Sequence, residues 1–345
     1  MLVINNVRKK LLVISLGGIC LMLTIWFRGS EIIKGTDAPH YFQIFEMGIN
    51  LPMTQYFSAL AWTASPGYIA WNVFMSIFTD SGYVYLFVTS MGIIGLLLYS
   101  MAQFFDFKKE RMLYILAFCC LLSSSSFYFY SLNILRQGIM ISFLILGAHA
   151  LIQNKRRTYI ILMGIGASFH FSLLLTVPII FLYGKLRQTK YFIAATYLSF
   201  LGSFGLSPVA IYKIASILGF KNIANKFQLY SNETFFQPNI LLKILVIFIL
   251  LHVFFLLYQY SNDYIFKELV CIAVLLFSIA LLFAQFGIII NRLMLFTSIL
   301  FPILFARGIH SFRRKNSYCI VLLFGTLVYL CVIFNHPSVT DQLLI

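Results

Sequence analysis

The sequence predicts an all-α integral membrane protein, a single polytopic transmembrane domain over residues 1–345 with about 10 to 12 membrane segments. Three observations carry this prediction. Hydrophobic residues make up 61% of the chain and charged residues only 10%. Soluble domains carry about 25% charged residues, so this chain has too little polar surface to cover a soluble globule. The apolar material comes in runs of roughly 17 to 25 residues, the length a helix rising about 1.5 Å per residue needs to cross about 30 Å of hydrocarbon. A barrel strand would instead alternate at every second residue.

The spans follow in order as 11–27, 81–101, 112–129, 136–153, 190–206, 240–259, 268–288, 292–309 and 318–335, with a further apolar stretch at 158–183. The first has Arg8, Lys9 and Lys10 ahead of it but no small-x-small cleavage site, so it reads as an uncleaved span with a cytoplasmic N-terminus. The net charge of +15 is dispersed in short clusters between spans: Lys108-Lys109-Glu110-Arg111, Lys155-Arg156-Arg157, Lys185 with Arg187 and Lys190, and Arg313-Arg314-Lys315. This is the inside-positive pattern of a membrane protein and not the footprint of nucleic-acid binding. The six cysteines all lie in apolar runs without metal-ligand or disulfide spacing and read as small packing residues.

The 158–183 stretch decides the topology. Split near His170 it gives two arms of about 12 residues, each near 18 Å and too short to cross alone. A broken or re-entrant hairpin there keeps Lys185, Arg187 and Lys190 on the cytoplasmic side, whereas one long tilted span would export them. On the hairpin topology the outer face receives the loops 28–80 and 206–239, each expected to carry an interfacial helix, the first of them rich in Trp71, Phe74 and Phe78.

Function is then read from polar residues at that outer face. Arg136 and Arg292 stand at span ends, against the inside-positive rule, where a charge costs about 2.5 to 3.5 kcal/mol at membrane depth unless it meets a cavity or an anion. Snorkelling to the headgroups is the plainer alternative. Asn133, Arg136 and Gln137 are spaced to share a helix face and to converge on a phosphate, and Asn291-Arg292 repeats the amide-plus-guanidinium pairing. His170, at the proposed break, and Asp37, beside His40 and Tyr41 in the first outer loop, are candidates to take up a proton. Tyr41, Tyr68, His40 and Asn291 are candidate sugar contacts. No Walker A loop, metal-ligand spacing or GxSxG elbow occurs, so the common soluble enzyme classes find no support.

The run Asn133-Ile134-Leu135-Arg136-Gln137-Gly138, followed by Phe169-His170-Phe171-Ser172 and preceded by Gly35-Thr36-Asp37 with Tyr41, resembles the EpsG family of bacterial polysaccharide polymerases, related in role to Wzy. The similarity covers roughly residues 28 to 305 and is most specific over 131–175; Ser65 stands where the family often has an acidic residue before Pro-Gly. The resemblance implies a metal-independent, cofactor-free glycosyltransferase in the bacterial cytoplasmic (inner) membrane with its active site facing the periplasm or exterior. Its substrate would be an undecaprenyl-diphosphate-linked oligosaccharide, with a chain-length regulator and a flippase of the same pathway as partners. Arg136 and Arg292, with Asn133 and Gln137, would hold the lipid diphosphate, and His170 or Asp37 would be the base. The product would be an O-antigen, capsule or exopolysaccharide. An O-antigen ligase-like transferase and a lipid-linked oligosaccharide flippase are the alternatives.

Overall fold

The computed structural model describes residues 18–25, 37–52, 54–56, 65–205, 213, 217, 238–284, 287–312 and 325. All regular structure among the described residues is helical: α1 Ala38–Asn50, α2 Pro66–Ser76, α3 Gly82–Ala102, α4 Arg111–Leu122, α5 Leu135–Ile152, α6 Arg156–Phe169, α7 Thr189–Gly205, α8 Pro238–Tyr260, α9 Tyr264–Leu282, α10 Gly287–Ser298 and α11 Phe301–Phe312. Five stretches are long and apolar enough to cross a membrane: α3, α5, Leu241–Tyr260 of α8, α9, and Leu293–Phe312 across α10 and α11. A sixth is gained if α4 and the segment Ser126–Asn133, bent by 80°, count as one.

The chain is thus a helical membrane protein, with fewer spans among the described residues than the sequence suggests. The expected span 318–335 and most of 11–27, like most of the loop 206–239, lie outside the described residues. The 158–183 stretch is divided at His170.

Local chemistry explains the turns that matter. α3 starts at Ser81, whose side chain accepts from the Val84 amide, as a helix N-cap should. α5 and α6 form a tight antiparallel hairpin. Asn154 takes the left-handed conformation (φ 59°), and the Asn154 and Lys155 amides donate back to Leu151 and Ala150, each at 2.8 Å. These bonds satisfy the terminal carbonyls of α5 in a Schellman closure.

α6 ends at His170, which is extended (φ −155°, ψ 117°). A 3-10 turn, Phe171–Thr176, and a short helix, Ile179–Leu182, carry the chain back past α6. Tyr159 closes the fold-back by donating to the Thr176 carbonyl at 2.9 Å. Arg156, at the start of α6, and Arg187, after the fold-back, line one cavity, so both arms begin and end at the same end of the bundle.

That end also collects the turns 103–110 and 261–263. Buried Arg307 joins Glu110 at 2.6 Å and Asp263 at 3.4 Å, and donates to the Phe104 carbonyl. Arg187 pairs with buried Glu268 at 2.9 Å, and Tyr183 donates to the same carboxylate. The clusters at Lys108–Arg111, Lys155–Arg157 and Lys185–Lys190 therefore share one basic end, while His170 and the start of α5 sit at the other. α9 is the hub, packed against α5, α7, α8, α10 and α11.

Candidate active site

The site is built where α5 begins. Preceding it, Phe129–Asn133 forms a π-turn, an arrangement that often marks functional positions because it re-aims the residues after it. Ile134 leaves helical geometry (φ −98°, ψ 63°), and α5 restarts at Leu135. Asn133 and Arg136 therefore belong to different elements and do not share a helix face, contrary to what their spacing suggests. The departure of Ile134 from helical geometry breaks the periodicity that a continuous helix would give.

Gly138 permits this junction. A Cβ there would lie 2.1 Å from the Tyr130 carbonyl oxygen, so only glycine lets α5 pack back onto the π-turn.

Arg136 projects between two aromatic rings. Its guanidinium carbon lies 5.6 Å from the Tyr41 centroid and 5.4 Å from that of Tyr68. The two rings meet edge to face at 5.5 Å, and both are buried. Tyr68 is fixed in turn by the Tyr85 hydroxyl, which donates to its oxygen at 2.9 Å.

α1 and α2 carry Tyr41 and Tyr68 and are too short to span a bilayer. Burial pushes the Tyr41 phenol up, with Arg136 pulling the other way, and burial raises Tyr68 as well. Both rings are therefore neutral π faces toward the cation.

The motifs converge around this arginine. The Asp37 amide donates to Asn133 Oδ1 at 2.8 Å, and the Asp37 charge acts on Arg136. On the other side, Gln137, buried on the same helix, faces His170 with their Nε2 atoms 3.4 Å apart. His170 Nδ1 hydrogen-bonds the Ser172 hydroxyl at 2.7 Å and accepts from the Ser172 amide at 3.3 Å, capping the 3-10 turn.

The Ser65-Pro66-Gly67 turn closes on the same corner: a Cβ at Gly67 would come within 2.3 Å of Ser168 Oγ and 2.9 Å of the Ser168 carbonyl. Asp37, Tyr41, Tyr68, Asn133, Arg136, Gln137 and His170 are thereby brought together. His40 lies beside them on α1 with an exposed side chain, its ring 6.5 Å from Tyr41. Asn291 and Arg292 fall in the opening turns of α10, and their side chains lie outside the described residues.

Three contributors were not singled out from sequence. Tyr85 is an ordinary residue of an apolar span until its contact is seen, and Gly138 closes the Asn133–Gly138 motif without a sign of its close approach to Tyr130. Ser172, two residues after His170 in the Phe169–Ser172 motif, is the partner of the imidazole in the cap, a local bonding habit common to serine.

A guanidinium, a carboxylate, amides and an imidazole thus gather at one end of a helical membrane bundle, a set of groups able to bind anions and to move protons. The sequence matches the EpsG family over residues 11–344, and the chain belongs to that family. No curated protein and no solved structure matches it.

Proposed function

We propose that this chain is a polysaccharide polymerase that joins polyprenyl-diphosphate-linked oligosaccharide units at the outer face of the bacterial cytoplasmic membrane. Membership of the EpsG family supports a polymerase-like role. The observation that carries the site assignment is the Arg136 guanidinium, clamped between Tyr41 and Tyr68 beside Asp37 and Asn133.

The reaction places its demands on that geometry. An acceptor sugar hydroxyl attacks the anomeric carbon of the donor, the new glycosidic bond forms, and the bond to the lipid diphosphate breaks. The hydroxyl proton passes to Asp37 or His170, and the electron pair of the broken bond leaves on the diphosphate. Arg136, joined by Arg292 from α10, offsets the charge that grows there, which a fixed cation in a water-poor site does far better than water. Asn133 and Gln137 hold the backbone and the imidazole around the reacting group.

The rings of Tyr41 and Tyr68 face Arg136, so we assign them to positioning the guanidinium. His40, exposed at the rim, and Asn291 are then left for sugar contact. The basic end of the bundle would face the cytoplasm.

Chain extension in proteoliposomes tests this reading. Purified protein given a polyprenyl-diphosphate-linked repeat unit is expected to yield a ladder of products. A unit that changes leaflet without extension would replace the polymerase with a flippase. Transfer of a preformed chain to an unrelated acceptor would replace it with a ligase-like transferase.

A further inference from the structure

At the end of the bundle opposite Arg136, a cavity of about 60 Å³ opens between the α5–α6 turn and the fold-back segment. Leu151 and Ile180 line its apolar side, and Asn154, Arg156, Tyr183 and Arg187 its polar side. A single water needs about 10–15 Å³ of such space. The cavity therefore takes a group of a few heavy atoms, the size of one phosphate.

The two cations are arranged differently. Arg187 is braced: its Nε and Nη2 engage Glu268 at 2.9 and 3.1 Å, Nη2 also reaches the Tyr264 hydroxyl at 3.4 Å, and its guanidinium lies 5.3 Å from the Tyr183 ring centroid. Its side chain nevertheless stays 40% exposed. Arg156 is exposed and has no ion-pair partner among the described residues.

Glu268 cancels one of the two charges, so the cavity keeps about one net positive charge and a surplus of forked donors, the donor set that phosphate oxygens fit. Lys155, Arg157, Lys185 and Lys190 surround it in sequence and reinforce the field. Ile160 and Ile161 on α6, and Phe181 and Leu182 between the lining residues Ile180 and Tyr183, are exposed apolar side chains, and acyl chains would cover them.

We infer that this cavity binds a phosphate ester, and that its occupant is the headgroup of an anionic phospholipid whose acyl chains lie along α6 and the fold-back. Basic pockets between membrane helices at the positive end of a bundle are suited to such headgroups. A bound lipid would tie α6 to the fold-back at the end opposite His170, and so would brace both arms of the break.

The test is the thermal melting of the full-length protein in detergent with added phosphatidylglycerol, phosphatidylcholine or inorganic phosphate. Arg156→Gln is the informative variant, because Arg156 has no ion pair to lose and the lipid-free melting temperature should not move. Phosphatidylglycerol is expected to raise the melting temperature saturably, with phosphatidylcholine ineffective, and Arg156→Gln should weaken the apparent affinity about tenfold or more. A shift with inorganic phosphate that matches phosphatidylglycerol and is also lost in Arg156→Gln keeps the phosphate site and assigns it to the free anion. Equal shifts with phosphatidylcholine, or a phosphatidylglycerol shift unchanged in Arg156→Gln, overturn the inference.

Discussion

Arg136 lies over the ring of Tyr68 at 5.4 Å, and these two residues come from helices that are far apart in sequence. The contact joins the Pro-Gly turn to the Arg-Gln-Gly motif and sets where the guanidinium points. A cation–π contact is worth about 0.5 to 2 kcal/mol depending on how dry it is, enough to select one rotamer of a long side chain.

Tyr41 offers the cleanest test of that clamp. Tyr41→Phe keeps the ring face but loses the hydroxyl that also bonds Arg136, so it should lower turnover less than Tyr41→Ala, which should lower it at least about tenfold, the equivalent of about 1.4 kcal/mol. Tyr68→Phe should differ from Tyr41→Phe in stability, since it leaves the buried Tyr85 hydroxyl without its acceptor. That loss costs about 1 to 3 kcal/mol, which a melting curve will show.

Gly138→Ala should disrupt the site without touching any charged group. The added methyl would meet the Tyr130 carbonyl oxygen, and relief of the clash must push α5 from the π-turn. Overpacking of this kind costs about 1 to 3 kcal/mol. A lower melting temperature together with lost activity is the expected result.

Much of this corner is legible in the sequence, and the reasons differ from residue to residue. Arg136 stands out because a charge at a span end violates a strong physical rule. His170 stands out because it divides a stretch that is too long for one clean span and too short for two, and α6 does end there. The π-turn is not legible, since nothing in Phe129–Asn133 distinguishes it from another turn of α-helix. Tyr85 is equally silent, because its value lies in a hydroxyl-to-hydroxyl bond across helices.

His170 caps the turn that follows it, so removing the side chain should cost stability as well as chemistry. Loss of a cap is worth about 0.5 to 2 kcal/mol, and asparagine is among the best caps. His170→Ala should therefore melt lower than wild type, and His170→Asn should recover most of the difference. Turnover of the recovered variant then assigns the proton acceptor: loss points to the imidazole, retention to Asp37.

Arg307 should behave as a purely structural residue. It is buried and joins Glu110, Asp263 and the Phe104 carbonyl. Breaking a buried pair by removing one partner costs about 3 to 5 kcal/mol, because the other charge is stranded. Arg307→Ala, which leaves both Glu110 and Asp263 without their cation, should lower the melting temperature sharply, whereas Glu110→Ala, which leaves Arg307 with Asp263, should lower it less, and residual folded protein should keep its activity per molecule in both.

The most direct measurement compares wild type with Arg136→Ala, both shown folded by their melting curves, in extension of a polyprenyl-diphosphate-linked repeat unit followed as a glycan ladder. Loss of a fixed charge that stabilises a leaving group costs about 10²- to 10³-fold in rate. Wild type should therefore build the ladder while the variant stays at the single unit over the same time. Ladders of equal length and rate from the two proteins would contradict the assignment of Arg136 to the diphosphate.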